Sequence, residues 1–135
     1  AVLLLLLIYL LTRKKKKKVI VKEEEVVDPY KEAVRGLEQL QREKPEARQY
    51  YSKLTDIFRL YIFRKKGILS LQKTTDDLVV QLKGLDMNKE QFENLAQSLR
   101  LSDFVKFAKY VPSKDDDIKV FEVIKNAIEQ IEKIS

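Results

Sequence analysis

The sequence contains no cysteine and no histidine, and these two absences exclude several kinds of chemistry. Without cysteine, the chain forms neither a disulfide framework nor a thiolate metal site, which fits a reducing compartment. Without histidine, it lacks the usual base of Ser–His and Cys–His pairs and a common zinc ligand. We therefore expect no catalytic centre of these kinds, no bound metal and no cofactor.

Glycine is also scarce, since only Gly36, Gly67 and Gly84 occur and they are far apart. Neither a phosphate-binding loop nor a dinucleotide fingerprint can be assembled from them. Carboxylates do cluster, at 76–77 and 115–117. A calcium loop needs spaced oxygen ligands and a sharp glycine turn, whereas acidic residues at helix starts are stabilised by the helix dipole. The clusters favour helix capping, and we expect a protein that is not an enzyme.

The chain opens with an apolar run from Ala1 to Leu11, followed by Thr12 and six consecutive cations: Arg13, Lys14, Lys15, Lys16, Lys17 and Lys18. A secretory signal has the reverse order, whereas cations after an apolar helix are typical of a stop-transfer segment with a cytoplasmic end. A helix of this length rises about 18 Å, and a hydrocarbon core is about 30 Å thick. We expect residues 1–12 to be the C-terminal half of a transmembrane helix whose start precedes Ala1.

This opening predicts three parts: the end of a transmembrane helix at 1–12, a basic stop-transfer and juxtamembrane linker at 13–27, and a cytoplasmic helical domain at 28–135. The six cations account for the whole net charge of +6. Outside them, 21 basic residues balance 21 acidic residues. A nucleic-acid module would keep a basic face within its fold. We therefore expect the cations at a membrane surface, where each lysine contributes about 1 kcal/mol against anionic lipid, and no nucleic-acid partner.

Apolar periodicity predicts two long helices after the linker. Asp28 and Pro29 favour a helix start, and the first helix is expected over 29–44. Pro45 interrupts the pattern, and a second helix over 46–66 is expected to end at Gly67. The expected core positions are Tyr30, Ala33, Val34, Leu37, Leu40, Tyr50, Tyr51, Leu54, Ile57, Phe58, Tyr61 and Ile62. Ile68, Leu69 and Leu71 are expected to fold into the core.

Capping sequences predict the remaining helices. Thr74–Asp77 would cap a short helix that Gly84 ends, and Asn88 with Gln91 resembles a capping box. Ser102 or Asp103 is expected to restart the chain as a separate helix ending near Pro112. Ser113 would cap the last helix, with a core stripe of Ile118, Phe121, Ile124, Ala127, Ile128, Ile131 and Ile134. The predicted fold class is all-α: a small bundle of five or six helices after the C-terminal half of a transmembrane helix.

The segment 103–112 has two interpretations. Phe104, Phe107, Ala108 and Val111 share one helical face, so the segment could be an amphipathic core helix with a solvated opposite face. Alternatively, the segment is a docking surface for a partner. In that case the candidate partner-binding residues are those of its polar face, Asp103, Lys106, Lys109 and Tyr110.

Three stretches give the chain a family resemblance: Tyr-Ser-Lys-Leu-Thr-Asp-Ile-Phe-Arg-Leu-Tyr at 51–61, Thr-Thr-Asp-Asp-Leu at 74–78, and Asp-x-Val-Lys-Phe-Ala-Lys-x-x-Pro at 103–112. The chain resembles the cytoplasmic C-terminal region of BatD-like and related bacterial membrane proteins, which are encoded beside MoxR-type AAA+ ATPases and von Willebrand factor A-domain proteins. The resemblance implies a non-enzymatic accessory subunit of an envelope complex at the bacterial inner membrane, with the lipid bilayer, a MoxR-type ATPase and A-domain membrane proteins as partners.

Two other functions fit the same pattern. The third and fourth predicted helices could form a helix-turn-helix in a membrane-anchored regulatory domain, although the balanced charge of the fold disfavours nucleic acid. The last helix could instead provide an apolar surface for a self-associating scaffold.

Overall fold

The computed structural model describes residues 2–10 and 27–134, and within these ranges the fold is all-helical, with no strand. Helix α1 covers residues 2–10. It is followed by five further α-helices and one short 3-10 helix: α2 (Pro29–Glu43), α3 (Ala47–Lys66), the 3-10 helix (Ser70–Gln72), α4 (Thr75–Leu82), α5 (Lys89–Phe107) and α6 (Lys114–Lys133). The predicted all-α fold class is confirmed.

Helices α2 and α3 form an antiparallel pair. Asp28 caps α2 as expected, since its Oδ1 accepts the Tyr30 and Lys31 amides at 2.9 and 3.2 Å. Lys44 ends α2 in the left-handed region, with φ 44°. Gly36 lets the pair pack closely, because a Cβ at this position would lie 3.0 Å from Ile57 Cγ1.

Helix α3 is the centre of the bundle and packs against α2, α5 and α6. Its buried stripe follows the predicted three-and-four spacing and comprises Tyr51, Leu54, Thr55, Phe58, Tyr61 and Ile62. Gly67 ends it with φ 70°, in the left-handed conformation expected of a terminating glycine.

The connection after α3 differs from the prediction. Leu69 and Leu71 are exposed, and the residue buried between them is Ser70. The cause is Arg59, whose guanidinium donates to the main-chain carbonyls of Ser70 and Lys73, both at 2.6 Å, while the Ser70 hydroxyl donates back to the Arg59 carbonyl. These bonds turn Ser70 inward, so that its two leucine neighbours face solvent.

Helix α5 is a single helix, so the predicted restart at Ser102 or Asp103 is wrong. The buried Ser102 hydroxyl donates to the Ser98 carbonyl at 2.8 Å within the helix and thus needs no break. Asn88 caps this helix through the Glu90 amide at 2.8 Å. In α6, Ser113 and Asp116 form a reciprocal capping box. The stripe is as predicted except that Ile118 is exposed, Val120 is buried, and Ile134, just beyond the helix, is only partly buried.

Helices α2, α3, α5 and α6 run alternately up and down, which gives the bundle two ends. At one end, Arg64 Nε lies 2.9 Å from Glu32 Oε1, and Lys65 Nζ lies 3.2 Å from Glu132 Oε2. These pairs join the start of α2 to the last turns of α3 and α6, and we call this the Asp28 end. The other end holds the α5–α6 loop and the first turns of α3 and α6, and we call it the Pro112 end.

The membrane prediction falls largely outside the described residues. All side chains of α1 are exposed. Across residues 2–10 and 27–134, no helix combines the length and the apolar character that a bilayer crossing requires. The cations Arg13–Lys18 and most of the linker lie outside these ranges.

Candidate functional site

The most unusual surface of the bundle lies at the end of α5. Phe104, Phe107 and Val111 are 58%, 74% and 84% exposed, and Tyr110 beside them is 47% exposed. We call these four residues the aromatic surface. Large apolar side chains grouped in this way on a protein surface commonly mark an interaction site. Because these side chains are exposed, the interpretation of this segment as a core helix is wrong for Phe104, Phe107 and Val111.

The other side of α5 explains why the phenylalanines face outward. The core stripe continues through Leu95, Ser98, Leu99, Ser102 and Val105, all of them buried. A helix turns about 100° per residue, so Phe104 and Phe107 each point roughly opposite to a buried residue two positions earlier. The two serines are small, and both are buried on the side of α5 that packs against the bundle.

The α5–α6 loop holds the aromatic surface in place. The Ala108 and Tyr110 amides both donate to the Phe104 carbonyl, at 3.0 and 3.3 Å. Lys109 between them adopts the left-handed conformation, with φ 56°. This arrangement satisfies a helix-end carbonyl and turns the chain sharply toward α6.

Of the four predicted partner-binding residues, Tyr110 belongs to the aromatic surface, and Asp103, Lys106 and Lys109 are its neighbours in sequence. Lys106 Nζ lies 5.2 Å from the centroid of the Phe107 ring, within the range of a cation–π contact. The Tyr110 hydroxyl donates to Asp116 Oδ2 at 3.4 Å. Asp103 is partly exposed, and Lys109 is exposed. The partner-binding role of these residues stays a prediction. Of the two interpretations of the segment, the core helix would have buried the phenylalanines, whereas Ser98 and Ser102, four residues apart, are the residues that are buried.

Two aspartates of the acidic cluster 115–117 make hydrogen bonds that stabilise the fold. Asp116 accepts the Ser113 amide at 3.0 Å in the capping box, and Asp117 Oδ1 accepts the Tyr51 hydroxyl at 2.7 Å. Within the described ranges, no three His, Cys, Asp or Glu side chains are grouped to hold a metal ion. The expectation that this cluster serves helix capping is supported by these bonds.

Three tyrosines of α3 have raised pKa values, and their contacts are structural. Burial raises the pKa of Tyr50 to about 12, with a further contribution from the charge of Asp117. Burial and a hydrogen bond to Asp117 raise the pKa of Tyr51 above its ordinary value. Burial and a hydrogen bond to Glu132 do the same for the pKa of Tyr61. Tyr51 and Tyr61 therefore stay neutral and connect α3 to α6.

The grooves of the bundle are weaker candidates. The α2–α3 groove has a volume of about 330 Å³, and its polar lining includes Glu43 and Lys53, which already pair at 3.1 Å. A groove of similar volume between α4 and α5 includes Asp76 and Arg100, 3.8 Å apart. Both grooves contain charged groups that contact each other, whereas the aromatic surface presents apolar side chains directly to solvent.

Comparisons with models of known families, with curated proteins and with solved structures found no match. The candidate site therefore rests on its geometry and on the sequence pattern.

Proposed function

We propose that the chain is a non-enzymatic, membrane-tethered protein-interaction module that binds its partner through the aromatic surface. The observation that carries this proposal is the outward orientation of Phe104 and Phe107 at the end of an otherwise well-packed helix. Aromatic side chains are enriched at the centres of protein interfaces, and charged groups form their rims. Asp103, Lys106 and Lys109 would form such a rim here, with Tyr110 as part of the aromatic surface that they flank.

The membrane tether in this proposal comes from the sequence. The apolar run before Thr12 would end a transmembrane helix of the bacterial inner membrane, and Arg13–Lys18 would lie against its cytoplasmic surface. The bundle would then be cytoplasmic. Confinement to a membrane raises the effective concentration of the module near its partners without any new contact.

The resemblance to BatD-like proteins supports the choice of partner. It points to an accessory subunit of an envelope complex that contains a MoxR-type AAA+ ATPase and von Willebrand factor A-domain proteins. We propose that the aromatic surface binds one of these proteins.

Co-purification from native membranes tests this function. The full chain, the double variant Phe104→Ser/Phe107→Ser and the control Val80→Ser would be compared, since Val80 on α4 is also an exposed apolar residue. We expect the ATPase or the A-domain protein to be enriched with the wild type and with the control, and to be lost with the double variant. Circular dichroism would verify that all three chains are folded.

Two outcomes would contradict the proposal. One is the absence of both partners from a folded wild-type sample, and the other is their undiminished recovery with the double variant. Binding of the aromatic surface to a second copy would appear as a wild-type dimer in analytical ultracentrifugation that the double variant abolishes. That outcome would favour the self-associating scaffold instead.

A further inference from the structure

The position of the aromatic surface within the bundle restricts the kind of partner it can bind. Val27 and Asp28, where the described bundle begins, lie at the Asp28 end, together with the Arg64–Glu32 and Lys65–Glu132 pairs. The aromatic surface lies at the Pro112 end, because the α5–α6 loop leads directly into the first turn of α6. A 20-residue helix is about 30 Å long, and α3 and α6 both have this length.

The length of the preceding chain limits where the Asp28 end can be. Eight residues lie between Lys18 and Val27, and the nine steps from Lys18 to Val27, at about 3.4 Å each, reach at most roughly 30 Å. If Lys18 is at the bilayer surface, the Asp28 end lies within about 30 Å of that surface, whereas the Pro112 end can lie farther from it by the length of the bundle. The aromatic surface at the opposite end then extends farther into the cytoplasm.

The charges around the aromatic surface disfavour lipid as its occupant. Residues 103–117 contain four aspartates and three lysines, so an anionic leaflet gains no net attraction from them. The charged neighbours of Phe107 have both signs, with Lys106 over its ring and Asp103 one helical turn earlier. A protein groove with an acidic group facing Lys106 and a basic group facing Asp103 would complement this rim.

We infer that the aromatic surface binds a water-soluble protein, which presents an apolar groove with a rim of mixed charge, at the end of the bundle remote from the bilayer. This inference rests on the membrane tether of the proposed function and selects a soluble partner over a membrane-embedded one. The two aromatic rings, about one helical turn apart, would fill the groove.

The absence of cysteine makes a direct test practical, since a single introduced cysteine can be labelled without background. The full chain would be placed in nanodiscs containing anionic lipid and an acceptor-labelled lipid. Donor dyes would be attached to Phe107→Cys at the Pro112 end, to Leu69→Cys near the Asp28 end and to Leu6→Cys in α1, all exposed positions. Energy transfer to the lipid acceptor reports the distance of each dye from the bilayer.

We expect the strongest transfer from position 6, less from position 69, and the least from position 107. The value at 107 should be about twofold or more below that at 69, because the two ends are about 30 Å apart. Equal transfer from 69 and 107, or stronger transfer from 107, would overturn the inference and leave the tether intact. Weak transfer from position 6 would overturn the tether and this inference with it.

Discussion

At the residue scale, three backbone positions control how helices end. Lys44, Gly67 and Lys109 all adopt positive φ, at 44°, 70° and 56°. Only the glycine adopts this conformation without steric cost, because a side chain meets the following carbonyl in the left-handed region. The chain therefore tolerates some strain at the ends of α2 and α5, but uses glycine where α3 turns into the Arg59-bound loop.

The two exposed glycines provide a matched test of this point. Gly67→Ala should lower the free energy of unfolding by about 1–2 kcal/mol, because the Cβ of alanine is sterically strained in the left-handed conformation. Gly84 has no positive φ, and a Cβ added at this position would lie 3.4 Å from the Gln81 carbonyl oxygen. Gly84→Ala should leave stability unchanged or raise it by about 0.5 kcal/mol. Urea titration of both variants measures the difference, and equal effects would contradict the argument.

At the element scale, α5 shows how the core selects the face of a helix. The helix buries Ser98 and Ser102 and exposes two phenylalanines, against the order that hydrophobicity alone would give. Helices α3 and α6 both pack against α5, and small side chains such as serine fit between packed helices more easily than phenylalanine does. The apolar residues left outside become the candidate binding surface.

A pair of substitutions in α5 tests this rotation. Phe107→Ala should change the free energy of unfolding by less than about 0.5 kcal/mol, as for other surface substitutions. Leu99→Ala, at a fully buried position on the same helix, should lower it by about 2–5 kcal/mol through the cavity that it leaves. Chemical denaturation followed by circular dichroism distinguishes these values. A large loss for Phe107→Ala would mean that the helix is rotated the other way.

The sequence predicted the ends of the helices better than the faces that they bury. Asp28, Thr74 and Ser113 cap their helices as expected, since a capping side chain acts on amides only two or three residues away. The predicted burial was wrong at positions where contacts with residues distant in sequence decide which side chain faces the core. Leu69 faces solvent because Arg59 binds the loop carbonyls, and Ile118 faces solvent while Val120 is buried against the bundle. Local signals fix helix ends, whereas the buried face depends on neighbours that a linear pattern does not contain.

At the scale of the whole molecule, tyrosine hydroxyls connect α3 to α6 near both ends of the bundle. Tyr51 donates to Asp117 at the Pro112 end, and Tyr61 donates to Glu132 at 3.1 Å at the Asp28 end. Each bond has a charged acceptor on a helix far away in sequence. Hydrogen bonds to charged groups contribute more than neutral ones, about 1.5–3 kcal/mol each. The two bonds together fix the lengthwise alignment of the two helices.

This alignment should weaken in alkaline solution. The folded pKa values of Tyr51 and Tyr61 are raised above the unfolded value near 10, so the folded state holds these protons more tightly than the unfolded state. Their contribution is complete below pH 10 and decreases as the pH rises above 10. The free energy of unfolding, measured by urea titration from pH 8 to 11.5, should fall above pH 10. It should fall less steeply in Tyr51→Phe/Tyr61→Phe, and parallel curves would contradict this assignment.

The alternating direction of the four bundle helices also returns the chain to its starting point, because the first turn of α2 and the last turn of α6 are both joined to the end of α3. A circular permutant could therefore connect 134 to 27 through a short linker and open the chain between 108 and 113. The same bundle would then be attached to the apolar run through its Pro112 end. In the proposed membrane-tethered arrangement, such a permuted protein would point the phenylalanines toward the lipid.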